Sequence, residues 1–346
     1  MILLNDDFSS IVTGVLEGRT LFENLKKSIA FTITHNIPEL GGFLAFIIVQ
    51  VPLPLSAILC ICIDLGADML PAIMFAYEYP ESDIMERPPR NSKRDFLVGK
   101  KLFCNAYGLL GPTEVFCAMF AYFMCFNDYG FRPGTLIGLG AEYGYYPKET
   151  DVYNPNLPNM GNSNYGDEKY HSLLDWVTTA DASVDVRLFF AHRGANAWSK
   201  CRWIEGTDRP GLKFYRYSQV TDHEICYTKE ALHYANSAYF TAVICCQWAN
   251  AILSKARMIT IGEQGFKSKH INWGFLWSFG IMILLNYLPF INVAFASRSV
   301  AFPHFFVAAF PWFTYMLLFE EIRKLFVRKG LRRLPGGIQL YESWFA

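Results

Sequence analysis

The chain has 346 residues, 52% hydrophobic and 16% aromatic, with formal net charge zero at neutral pH. Zero net charge argues against nucleic acid as a partner. The apolar residues gather into stretches of membrane length, which points to a multi-pass membrane protein embedded in a lipid bilayer.

The N-terminus carries Asp6 and Asp7 and only a short apolar stretch, so it does not read as a secretory signal. Residues 1–27 are polar and amphipathic: Ile2, Leu3 and Leu4 read as a strand, and Ser9 to Lys27 as a helix. From Ser28 to Tyr79 run two apolar spans, at 29–50 and 55–77, joined by Pro52-Leu53-Pro54-Leu55. Each is long enough to cross a bilayer, since roughly 20 apolar residues suffice.

Each span also carries polar residues that a plain anchor avoids. The first has Asn36 and Glu39 around Pro38; the second has Asp64 and Asp68 around Gly66. A carboxylate at mid-membrane costs about 2.5–3.5 kcal/mol on insertion scales, so three in neighbouring helices require a compensating partner. Neither span contains Lys or Arg. Asn36 with Glu39, and Asp64 with Asp68, have spacings that let each pair share a helix face. Pro38 removes a backbone donor, and Gly66 lets the second helix unwind between its aspartates. Freed carbonyls and carboxylates at mid-membrane are the ligand set for a hard or alkali cation. The structural alternative is a proton-neutralised cluster. Thr32 and Thr34 add oxygens, or bond back to their own helix.

A basic connection follows with Arg87, Arg90, Lys93, Arg94, Lys100 and Lys101. Further spans read at 102–126, 231–253, 271–292 and 304–326. The third holds Glu114 beside Pro112, either a proton-linked carboxylate or an acid neutralised against a neighbouring helix. Lys255, Arg257, Lys267 and Lys269 separate spans four and five, and Arg323, Lys324, Arg328, Lys329, Arg332 and Arg333 close span six. Six alternating spans put all three clusters on one side, the cytoplasmic one, with both termini. The exoplasmic link 127–229 is about a hundred residues, far beyond ordinary connections. It opens with a Gly/Pro/Asn/Tyr-rich tract from Tyr143 to Gly166, and a tryptophan-bearing portion follows with Trp176, Trp198 and Trp203. Of nine cysteines, Cys201 and Cys226 fall in this link, where oxidation is permitted, and are expected to form a disulfide. The other seven read as small core hydrophobes.

The runs Asn36-Ile37-Pro38-Glu39-Leu40, Pro52 to Leu55 and Ile63 to Ala72 occur in order with Glu81–Asn91, Gln247-Trp248-Ala249-Asn250 and Glu320–Gly330. Together they resemble helices five to ten of a P-type ATPase α (catalytic) subunit of the sodium/potassium- and proton/potassium-exchanging branch. The resemblance covers nearly the whole chain except the long link. It implies an all-α membrane protein, a six-helix bundle with a large exoplasmic loop. Its parts are the end of a phosphorylation domain with a stalk helix (1–27), helices five to seven with the cation site (28–126), the loop (127–229), helices eight to ten (230–326) and a cytoplasmic tail (327–346). The family's matching positions imply cation binding by Asn36, Glu39, Asp64 and Asp68, with Thr32, Thr34, His35, Gln247 and Asn250 as further candidates. The ions implied are K+ with Na+ or H+. ATP and Mg2+ act only through cytoplasmic domains that this sequence lacks.

Departures from the family pattern are specific. His35 stands where sodium pumps have Ser and gastric-type proton pumps have Lys, and serves either as a tethered cation or as a neutral hydrogen-bonding group. Phe31 replaces a Tyr, Asn250 an Asp, Glu114 a Gln, and Trp277 and Ser278 a pair of glutamates; the tail ends Tyr341-Glu342-Ser343-Trp344-Phe345-Ala346. These changes make an electroneutral or proton-coupled exchange easier to accommodate. The family docks its β subunit on the shorter equivalent loop, and here Tyr217-Ser218-Gln219 is similar to that motif, so a β partner through 127–229 and the helix seven/eight region is implied, at the plasma membrane. The DKTGT, TGES and TGDGVND motifs and a GxxxxGK[ST] loop do not occur, so this chain alone is not expected to hydrolyse ATP. The competing expectation is a non-catalytic, regulatory or decoy α-like membrane protein. A six-helix channel or secondary transporter is disfavoured because the acidic pair occurs once, without an internal repeat.

Overall fold

Pro38 does not stop the first helix. The computed structural model describes residues 8–81, 84–86, 89, 96–129, 133–138, 228–255, 261–265 and 268–332. Helix α1 runs from Phe8 to Leu44 and continues as one π turn, Ala45–Val49, to a left-handed Gln50 (φ 55°). The amphipathic segment and the first span are therefore one rod. Thr20, Thr32 and Thr34 each return their hydroxyl to the carbonyl four residues back, as expected for threonines inside an apolar helix. Pro38 has no N–H for the carbonyl of Thr34.

Helix α2 spans Ala57–Tyr77. Ser56 caps it, its Oγ accepting from the Leu59 amide at 3.2 Å. The sequence suggests unwinding at Gly66; instead the helix widens into a π segment over Cys62–Asp68. The Met69 amide reaches back five residues to the Asp64 carbonyl. Widening keeps the backbone paired inside an apolar layer, where an open break would leave carbonyls without water. Pro71 has no N–H for the carbonyls one turn upstream, and Trp277 Nε1 donates to one of them, that of Gly66, at 2.7 Å.

Helix α3 comprises Lys100–Asn105, a π turn Ala106–Leu110 and Gly111–Asp128; α4 is Thr228–Lys255, α5 is Lys269–Tyr287, and α6 is Phe302–Arg332, unbroken by Pro311. There is no strand among the described residues. Among the described residues, four helical stretches are long and apolar enough to cross a membrane: Ser10–Val49, Ala57–Tyr77, Leu102–Asp128 and Phe302–Leu325. Helices α4 and α5 have the length but fall outside this set, so four of the expected six spans are supported. The polar residues of α4 explain its shortfall. Asn236, Ser237, Thr241, Gln247 and Asn250 are buried inside the bundle, where α4 packs against α3, α6 and α1.

Close helix approach depends on two glycines. A Cβ on Gly41 meets Val115 of α3, and one on Gly111 meets Cβ and Cγ2 of Ile37 at 2.7 and 2.8 Å. Gly111→Ala must therefore push α1 and α3 apart at the level of Pro38. We expect it to cost about 1–3 kcal/mol, read as a lowered unfolding temperature of the purified chain. At the end of α1, Tyr122 Oη donates to the Pro52 carbonyl at 2.6 Å. With its amide nitrogen turned towards the same loop, Asn236 donates to the Leu53 and Pro54 carbonyls at 3.0 and 3.1 Å. These bonds fix the tight Pro-Leu-Pro-Leu turn that sets the register of α1 against α2.

The strand at Ile2–Leu4, the bulk of the 127–229 link with Cys201, Cys226 and Tyr217-Ser218-Gln219, and the tail beyond 332 lie outside the described residues.

Candidate cation site between the first two spans

Four side chains converge where the π segment of α2 faces α1. His35 Nδ1 lies 3.5 Å from Asp68 Oδ2 and 3.7 Å from Asp64 Oδ1. One ligand atom each from His35, Glu39 and Asp64 fit within 4.8 Å of one another. His35, Glu39 and Asp68 are 5%, 6% and 2% exposed, whereas the Asp64 side chain is 41% exposed. Buried polar atoms ordinarily have hydrogen-bond partners. Here His35 Nδ1, Glu39 Oε1 and Asp68 Oδ2 have none within the protein. Distances of 3.5–3.7 Å allow ion pairing but are too long for a good hydrogen bond. The ring of His35 is flanked by Phe31, centroid to centroid 5.7 Å, and Phe31 in turn packs on Phe75.

The expected ligand set is only partly gathered here. Asn36 is exposed, and with Thr32 lines the open side of the cavity holding Asp64 and Asp68. Sharing a face with Glu39 is therefore not realised: the two residues lie three apart, yet one is buried and the other is not. Thr34 and Asn250 line a different cavity, next to Lys27, Glu320 and Lys324. Gln247 is 1% exposed with neither amide atom hydrogen-bonded, and lines neither cavity. Ser278 accepts from Trp248 Nε1 at 3.2 Å.

Two further residues, Cys60 and Glu114, adjoin the cluster. Cys60, read from the sequence as core filling, places Sγ 3.2 Å from Glu39 Oε2. Its position one turn before Asp64 was the available signal: Cys60, Asp64 and Asp68 repeat every four residues. Glu114 is fully buried, neither oxygen has a hydrogen-bond partner, and it lies within electrostatic range of Asp68.

A family described as "Cation transporting ATPase, C-terminus" matches residues 52–326. The chain belongs to that family. It is the C-terminal membrane part of a P-type ATPase α subunit. Over 346 residues, all of this chain, it is 35% identical to sodium/potassium-transporting ATPase subunit alpha-1 of Catostomus commersonii. It is equally similar, over 345 residues, to subunit alpha-3 of Rattus norvegicus and of Homo sapiens. The chain spans 27% of the length of each of these relatives.

In this ATPase membrane part, Tyr239 of α4 supports the Pro38 region: its Oη donates to the Pro38 carbonyl at 2.6 Å and lies beside Gly42. Both partners are buried. Tyr239→Phe leaves a buried carbonyl short of a donor, an expected loss of about 1–3 kcal/mol. Thermal unfolding monitored by circular dichroism checks it. An unchanged midpoint would show that the bond contributes nothing.

Proposed function

We propose that this chain is the cation-translocating part of a sodium/potassium- or proton/potassium-exchanging pump. Glu39, Asp64 and Asp68 hold monovalent cations, with His35 and Asn36 completing the oxygen and nitrogen lining. One observation supports the reading: Glu39 Oε1 and Asp68 Oδ2, on two residues that both lie beside His35, are buried with no protein donor. Two or three negative charges in a membrane interior require a counter-charge, and the described residues put no Lys or Arg side chain there. A K+, Na+ or H+ supplies it.

In this reading the unbroken α1 is the transmission element. A displacement at its polar end, Phe8 to Lys27, moves His35 and Glu39 as part of the same rod, while Asp64 and Asp68 sit on a separately anchored π segment. Changing their separation switches the site between holding and releasing an ion. ATP and Mg2+ act through cytoplasmic domains supplied outside the described residues. The basic clusters favour both chain termini on the cytoplasmic side, six spans in total, and the 127–229 link with α3 and α4 facing a β subunit at the plasma membrane. The chain divides accordingly into stalk, helices five to seven, exoplasmic loop, helices eight to ten and tail.

The test is equilibrium binding of radioactive rubidium, a K+ substitute, to the 346-residue chain in lipid nanodiscs. Saturable binding displaced by excess K+ or Na+ is expected. Binding that no alkali cation displaces, or none at all, overturns the proposal.

A further inference from the structure

We propose that the same cluster takes a divalent first-row transition-metal ion, with His35 as nitrogen ligand and Glu39, Asp64 and Asp68 as oxygen ligands. The inference rests on reading these side chains as a cation site, and goes beyond it in the class of ion. An imidazole nitrogen is a poor ligand for alkali ions and a favoured one for Zn2+, Co2+, Fe2+ or Ni2+. Nothing in an alkali site needs a buried imidazole with its Nδ1 lone among carboxylates. Here that nitrogen is buried, has no hydrogen-bond partner and sits 3.5 and 3.7 Å from two carboxylate oxygens. Ligand atoms bound tetrahedrally at about 2.0–2.2 Å are separated by roughly 3.3–3.6 Å, so the gap needs only small side-chain adjustments to close on such an ion.

His35 Nδ1 and Glu39 Oε1 are buried and unsatisfied, and with Asp64 these residues bring one ligand atom each within 4.8 Å of one another. One ion answers both. Cys60 Sγ, 3.2 Å from the other oxygen of Glu39, orients that carboxylate in the way outer partners orient metal ligands. Asp64, the half-exposed member, supplies the entry side. Because the ligands come from α1 and from the π segment of α2, a bound ion ties the two helices together. It therefore competes with alkali cations for the same carboxylates.

The probe is Co2+, whose visible absorption reports coordination number and ligand type, added to the 346-residue chain in lipid nanodiscs. The wild-type chain is expected to show an intense four- or five-coordinate spectrum, and Co2+ is expected to displace bound rubidium. His35→Ser removes the nitrogen and leaves every carboxylate. It should weaken Co2+ binding by more than about tenfold, and by more than it weakens rubidium binding. His35→Gln, which fills the site better, provides the same comparison if the serine variant fails to elute as a monodisperse species. Undiminished Co2+ binding in both variants overturns the inference, since the ion is then held elsewhere, for example by histidines of the 139–227 region. Wild-type rubidium binding with no Co2+ spectrum overturns it too, and leaves the monovalent-cation reading standing. Failure of both ions to bind removes both.

Discussion

Asp68→Asn is expected to weaken rubidium binding by at least about 100-fold, whereas Asp64→Asn weakens it by about tenfold. A unit charge about 4 Å away contributes about 4 kcal/mol at an effective dielectric near 20, and 1.4 kcal/mol is a factor of ten. Asp68 is 2% exposed, so little of that attraction is screened. The Asp64 side chain is 41% exposed, and solvent or headgroup screening removes much of its share. Asparagine preserves size and one oxygen in each case, so packing in the π segment should survive. The ordering is the discriminating result. Equal losses would mean that the two acids face the ion alike, against the burial difference. Wild-type affinity in Asp68→Asn would remove this residue, and with it the site, from ion binding.

The acids themselves were legible in the sequence because their cost is local. Three carboxylates without a basic residue in two apolar spans point to a mid-membrane site before any packing is known. The Pro-Leu-Pro-Leu turn and the lengths of the spans were legible for the same reason. Side-chain direction was not. Spacing alone places Asn36 beside Glu39, but in α1, which continues through Pro38, Asn36 is exposed while Glu39 is buried. Gly66 signalled a weak point in α2, yet whether a helix breaks or widens depends on which neighbour supplies a donor. That neighbour, Trp277, lies more than two hundred positions away. The coupling of Cys60 to Glu39 and of Glu114 to Asp68 is likewise tertiary: each needs α1, α2 and α3 in register, which the glycines at 41 and 111 set. The span at 231–253 was read from the sequence, yet the hydropathy of α4 falls short for the opposite reason. Its polar side chains are hidden by its neighbours, and sequence hydropathy counts them as though they faced lipid.

The largest stability effect is expected away from the site. Lys27 Nζ lies 2.9 Å from Glu81 Oε1, and both side chains are 1% exposed. Around this pair, Asn24 Nδ2 donates to the Glu78 carbonyl at 2.8 Å and Arg19 to the Ile84 carbonyl at 2.8 Å. On the α4 side, Lys255 Nζ lies 3.6 Å from Glu78 Oε1. The segment leaving α2 is thereby fastened to α1 two turns before His35, and to the end of α4. Removing one partner of a buried ion pair leaves the other desolvated and short of that counter-charge, which typically costs about 3–5 kcal/mol. Lys27→Met should therefore destabilise the bundle by that amount. Replacing both partners, Lys27→Met with Glu81→Leu, should recover most of the loss, because two apolar side chains need no counter-charge. A double-mutant cycle of thermal unfolding with Glu81→Leu alone measures the coupling. If the three variants simply add, the pair is not a unit and the fastening rests on the backbone bonds of Asn24 and Arg19. If the double variant is stable but its rubidium affinity falls, the pair does more than hold the fold. It then sets the distance between the helix bearing His35 and Glu39 and the helix bearing Asp64 and Asp68.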